Sequence, residues 1–121
     1  MYSVRIFSNI YIRSEAQFCI AEVLRILKPG GIFRIVVPNL DRIVAAYDPH
    51  QPDEFCEAIF EARQKRDKNR HHWHYNETTL SRILREAGLG KVYRCEFEQG
   101  NCADVEVINN RPGSLFMEAE K

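Results

Sequence analysis

Residues 32–37 read IFRIVV, apolar at every position except Arg34. Strict alternation would mean one wet face. Near-continuity predicts a strand covered on both faces, as in a parallel sheet with helices above and below. Residues 4–12 (VRIFSNIYI) are rich in β-branched and aromatic types and begin as a strand. Ser14 then opens a helix, its hydroxyl placed to accept from the amide of Gln17 in a capping box. Within residues 16–27 (AQFCIAEVLRIL), Ile20, Val23, Leu24 and Leu27 recur at helical spacing and form one apolar face. Arg25 and Lys28 fall in the last turns, where the helix dipole favours cations. Pro29 stops the helix, and Gly30 can adopt the left-handed conformation that closes it. Strand, helix, strand in this order is a βαβ unit, with a right-handed crossover.

Pro38 ends the buried strand, and Asn39 caps a short helix over residues 40–47, with Leu40, Ile43, Val44 and Tyr47 on one face. Two prolines turn the chain between residues 48 and 52. Residues 53–68 predict a charged helix with a thin apolar stripe of Phe55, Ile59, Phe60 and Ala62. Another helix follows over residues 77–88 (ETTLSRILREAG), presenting Leu80, Ile83, Leu84 and Ala87 and ending at Gly88. In residues 91–98 (KVYRCEFE), Tyr93, Cys95 and Phe97 alternate with Arg94 and Glu96, a half-buried strand. A polar loop then leads to a closing strand at residues 114–121, with Leu115, Met117 and Ala119 on one face. Only a loop separates these last two strands, so they can pair antiparallel.

Composition narrows the functional classes. A chain of 121 residues holds one domain at most, burying roughly two thirds of its unfolded surface. Lys plus Arg and Asp plus Glu both total 17, which argues against a general nucleic-acid or membrane-surface binder. No apolar run approaches the roughly 18 residues of a membrane span, and the N-terminus lacks the pattern of a signal peptide. The cysteines at 19, 56, 95 and 102 form no CxxC pair. Cys19 in a helical pattern and Cys95 in a strand pattern read as buried thiols, and a reducing cytoplasm is the expected location. A Cys95–Cys102 disulfide across a turn is the alternative.

Two longer stretches carry a family resemblance: LRILKPGGIFRIVVPNL at residues 24–40 and HHWHYNETTLSRILREAGL at residues 71–89. With the order of elements, they resemble the C-terminal half of class I S-adenosylmethionine-dependent methyltransferases, over nearly all of the chain from Glu15 onward. The resemblance implies an α/β fold: a partial Rossmann-like sheet of about four strands, the last antiparallel, flanked by helices. Residues 1–121 would form a single domain matching the fourth to seventh strands of the family's seven-stranded sheet. The family's glycine-rich loop and the acidic residue that holds the ribose have no counterpart here. Gly30 and Gly31 lead into a strand rather than a helix, so they read as a helix-end turn.

The resemblance implies S-adenosylmethionine as cofactor and a small-molecule methyl acceptor. The expectation is a truncated methyltransferase, inactive alone, that requires an N-terminal-half partner chain or a homo-oligomer. Residues 4–8 would then be an open sheet edge, which invites pairing with another chain. A non-catalytic module that completes a partner's sheet is the competing expectation. Ser8 and Asn9 keep the polar start of the turn that lines the family's cofactor pocket, and are the cofactor-side residues the resemblance implies. The His and Glu usual in that turn are absent, with Ile12 and Arg13 nearby.

On the acceptor side the resemblance implies His71, Trp73 and Tyr75, and Pro38 and Asn39 join them as candidates from their place after the buried strand. Read from the residues alone, Asn39 and Asp41 stand at the carboxyl end of a buried strand, where α/β sheets place ligands. The simpler reading makes them the cap and first turn of a helix. Trp73 and Tyr75 can pack against the sheet. His71, His72 and His74 invite a metal, but His71 and His72 point apart on an extended chain, and no completing ligand pattern is present. Arg34 inside an apolar strand calls for an ion-pair partner. The run ARQKRDKNR at residues 62–70 reads as a solvated helix face. No residue is singled out as catalytic.

Overall fold

In the computed structural model, residues 3–6, 13–61, 73–96, 99 and 114–121 are described, with the backbone alone for 3–6, 13 and 14. The elements are β1 (Ser3–Ile6), α1 (Arg13–Ile26), β2 (Ile32–Val37), α2 (Leu40–Ala45), α3 (Pro52–Phe60), α4 (Glu77–Glu86), β3 (Lys91–Cys95) and β4 (Leu115–Glu120). They build a four-stranded sheet in the order β1-β2-β4-β3. β1 runs parallel to β2, from Ser3 opposite Ile32 to Ile6 opposite Ile35. β4 inserts between β2 and β3, antiparallel to both. The α/β architecture and the antiparallel last strand are those expected.

The side-chain period of two divides each strand between two faces. One face presents Phe33, Ile35 and Val37 of β2 beside Leu115, Met117 and Ala119 of β4. Ala16, Cys19, Ile20, Val23 and Leu27 from α1 pack there, as do Leu80 and Leu84 from α4. This is the main core, and each fully buried aliphatic side chain in it contributes about 1.5–3 kcal/mol. The expectation of helices above and below β2 needs correcting: among the described residues, α1 and α4 both cover this same face.

The opposite face is mixed. Val36, Cys95 and Phe116 form a small apolar cluster with Tyr93 against it. Arg34 lies beside them, fully buried, and its Nη1 donates to Glu118 Oε2 at 2.8 Å and to the Gln99 carbonyl at 2.9 Å. Tyr93 Oη donates to the other Glu118 oxygen at 2.9 Å. The guanidinium also stands 5.3 Å from the Phe116 ring centroid, a favourable cation–π arrangement. This is the ion pair that Arg34 required.

The LKPGG turn is tied down at both ends. Gly31 N donates to the Lys28 carbonyl, and Gly30 takes φ +83 in the turn rather than directly at the helix end, since α1 stops at Ile26. Lys121 Nζ donates to the carbonyls of Leu24 and Leu27, a cation satisfying the orphan groups at a helix C-terminus.

Two further expectations change. The helix drawn over residues 53–68 stops at Phe60, because Glu61 turns left-handed (φ 53) and its amide donates to the Glu57 carbonyl at 2.7 Å. Residues 62–68 lie outside the described residues. The helix expected from Ser14 starts at Arg13, and the Ser14–Gln17 capping box also lies outside them. Cys19 and Cys95 are buried thiols and Cys56 is exposed. Among the described residues, no helix is long and apolar enough to cross a membrane.

Candidate functional site

The site grows from the carboxyl end of β2. Pro38 removes the next backbone donor and ends the strand. Asn39 follows in an extended conformation, and its Oδ1 accepts from the Asp41 amide at 3.1 Å, capping α2. The segment before α4 docks alongside: Asn39 and Tyr75 form an isolated parallel bridge, and the Leu40 amide donates to the Tyr75 carbonyl at 2.9 Å. Asn76 fastens the junction. Its Nδ2 donates to Asp41 Oδ1 at 3.2 Å, while its Oδ1 accepts from the Thr79 amide at 2.9 Å. Thr79 Oγ1 accepts in return from the Asn76 amide, completing a capping box.

Pro38, Asn39, Trp73 and Tyr75 are thus gathered at one end of the sheet, where open α/β sheets bind ligands. Their environments differ. Tyr75 is buried in the main core with Leu80 and Leu84, whereas Trp73 is exposed. Ser8, Asn9 and His71, as well as His72, lie outside the described residues. His74 Nε2 donates to the Ile59 carbonyl at 2.6 Å, the only role open to it opposite a carbonyl, and so ties the segment to the end of α3. Among the described residues, no group of three His, Cys, Asp or Glu side chains could hold a metal ion.

Beside this junction opens a cleft of about 440 Å³, lined by Asn39, Asp41, Arg42, Arg94, Cys95, Glu96, Ser114 and Phe116. Its volume lies within the range of small-molecule sites. Of its lining residues, Phe116 and Cys95 are nearly fully buried, at 3% and 8% exposure, whereas Asp41, Arg42, Arg94 and Glu96 are exposed. Asn39 and Asp41, the pair expected at the carboxyl end of β2, line this cleft, whereas the described Pro38, Trp73 and Tyr75 do not. Arg42, Arg94, Glu96, Ser114 and Phe116 escaped sequence reasoning, since only the insertion of β4 beside β2 brings residues near 40, 95 and 115 together. Arg94 and Glu96 did carry a signal, as the outward positions of an alternating strand.

No protein-family model matches the chain, and neither does any curated protein. Solved structures do. One is a candidate O-methyltransferase from Nostoc punctiforme PCC 73102, similar over 98% of this chain and 31% of that one, with a TM-score of 0.57 and 10% identity. Another is a SAM-dependent methyltransferase from Thermotoga maritima, described as a possible histamine N-methyltransferase. It is similar over 98% of this chain and 55% of that one, with a TM-score of 0.56 and 14% identity. The chain therefore spans about a third and about half of the lengths of these two proteins. At such identity the likeness establishes the fold alone: this chain has a methyltransferase-like α/β fold.

Proposed function

We propose that this chain is the acceptor-side half of a SAM-dependent methyltransferase, and that it transfers a methyl group only when a cofactor-binding half extends the sheet beyond β1. The observation that carries this reading is the sheet itself. Its order, with a parallel β1–β2 pair and β4 inserted antiparallel, superposes on methyltransferase structures over 98% of the chain but on only 31–55% of theirs. Among the described residues, no strand pairs with the outer edge of β1. When bound, S-adenosylmethionine supplies an activated methyl group. This chain's part is to position the acceptor at the carboxyl end of β2, where Asn39 bridges to Tyr75 in the segment that also carries the exposed Trp73, because a well-oriented nucleophile removes much of the barrier. Ser8 and Asn9 would face the cofactor.

The test is a calorimetric titration with S-adenosylhomocysteine, with the molecular mass measured in parallel. The chain alone, at monomer mass, is expected to give no saturable heat at millimolar ligand, whereas the chain expressed together with its flanking coding sequence is expected to bind. Saturable binding by the monomer would refute the need for a second half. A second reading, a non-catalytic module that adds its sheet to a partner's, is favoured by the same open edge. It predicts a defined complex without cofactor affinity in either preparation.

A further inference from the structure

Helices α1 and α4 cover the same sheet face, and their outward surfaces differ. On α4 every exposed residue is polar: Glu77, Thr78, Arg82, Arg85 and Glu86. A helix that ends a layer and faces water has this character. On α1, by contrast, Phe18 and Ile26 stand 72% and 55% exposed. Glu22 lies midway between them at helical spacing, so the three follow one ridge of the helix. The Glu22 carboxylate is already balanced by Arg25 at 2.8 Å. At about 100° per residue, the ridge runs from the outward side of α1 at Phe18 to a flank at Ile26. Leu24 marks the opposite flank, because a Cβ added at Gly88, just beyond α4, would stand 3.4 Å from Leu24 Cδ2. Ile26 is therefore turned away from α4, which lies over β3 and β4, and towards the side of the sheet that ends in β1.

A single exposed apolar side chain needs no explanation. Two on one ridge, leaning towards the strand whose outer edge has no partner among the described residues, point to a further helix in the same layer. Handedness gives that helix its place. A right-handed crossover stepping inward from a parallel strand outside β1 repeats the direction of β1, α1 and β2, and so sets its helix on the face that α1 occupies. We propose that the ridge of Phe18, Glu22 and Ile26 receives an amphipathic helix of the cofactor-binding half, which lies beside α1 with its apolar stripe against Phe18 and Ile26. This helix rests on the reading above that a second half extends the sheet. It gives that half a second surface to fit, besides the backbone edge of β1.

The test is labelling of Phe18→Cys and Ile26→Cys with N-ethylmaleimide, read site by site by peptide mass spectrometry. It compares the chain alone with the chain expressed together with its flanking coding sequence. Each variant carries one substitution, so that the other ridge residue still docks, and Cys56, exposed on α3, is the internal reference. In the chain alone both introduced thiols are expected to react at rates close to that of Cys56, with unchanged circular dichroism. In the longer chain they should react at least about tenfold slower, as covered thiols do, while Arg85→Cys on the polar side of α4 keeps its rate. Unslowed labelling in a longer chain that binds S-adenosylhomocysteine overturns the helix and leaves the second half standing. Unslowed labelling without cofactor binding overturns both, whereas slowed labelling without cofactor binding keeps the helix and removes the methyltransferase reading. Slowing in the chain alone that grows with protein concentration would assign the ridge to a second copy and overturn the proposal.

Discussion

Helices α1 and α4 differ from α2 and α3 in what holds them. The first two bury their apolar stripes against β2 and β4, and Leu80 and Leu84 of α4 are fully enclosed. The second two have no buried residue at all. An edge-to-face contact between Tyr47 and Phe55 (ring centroids 5.2 Å apart), the Asn39 cap and the His74 bond to Ile59 hold them in place. Val44, Tyr47 and Phe60 remain exposed. Stability therefore resides in the sheet and its single helical layer, while the cleft takes Asp41 and Arg42 from a helix that contributes little to it and Arg94 and Glu96 from the end of β3. Substitutions in the two regions should separate cleanly.

The largest expected effect lies on the second sheet face. Arg34→Met leaves Glu118 buried without its cation and should cost about 3–5 kcal/mol in urea unfolding. The double change Arg34→Met with Glu118→Leu should recover most of that loss. A single-variant cost below about 1 kcal/mol would show that the pair is solvated. Leu84→Ala, in the main core, should cost about 2–5 kcal/mol, against no more than about 0.5 kcal/mol for Phe60→Ala on α3. Equal losses at both positions would erase the distinction between the regions.

Smaller effects test the connections. Asn76→Ala removes the capping box of α4 and the bond to Asp41, and should cost about 1 kcal/mol, read as a lower thermal midpoint. Gly30→Ala places a side chain at φ +83 with no atom within 4 Å of the new Cβ. Its cost, about 1 kcal/mol, would thus be conformational strain alone. A neutral result would mean that the turn relaxes.

How far the sequence revealed this depended on the range of the interaction. The βαβ unit was legible because residues 20–27 keep a helical period, and residues 32–37 are apolar on both faces. Asn39 as a cap was equally legible, being decided within two residues. Arg34 announced that it needed a partner without naming Glu118, which the pairing of β2 with β4 supplies from across the chain. The end of α3 was hidden, since neither glycine nor proline marks Glu61, and a left-handed turn there overrides helix propensity. Asn76 and Thr79 could have been recognised as a capping pair from their spacing. The cleft could not, because its walls come from three elements that only the sheet topology makes neighbours.

Backbone amide exchange of the monomeric chain tests most directly the proposal that the sheet continues beyond β1 in a second half. Strand β2, paired on both sides, should be protected throughout. In Ser3–Ile6, the amides that face away from β2 should exchange at close to unprotected rates, and become protected when the chain is expressed together with its flanking sequence. Protection of all four β1 amides at the level of β2 in the isolated monomer would contradict the account, because the edge would then already be closed.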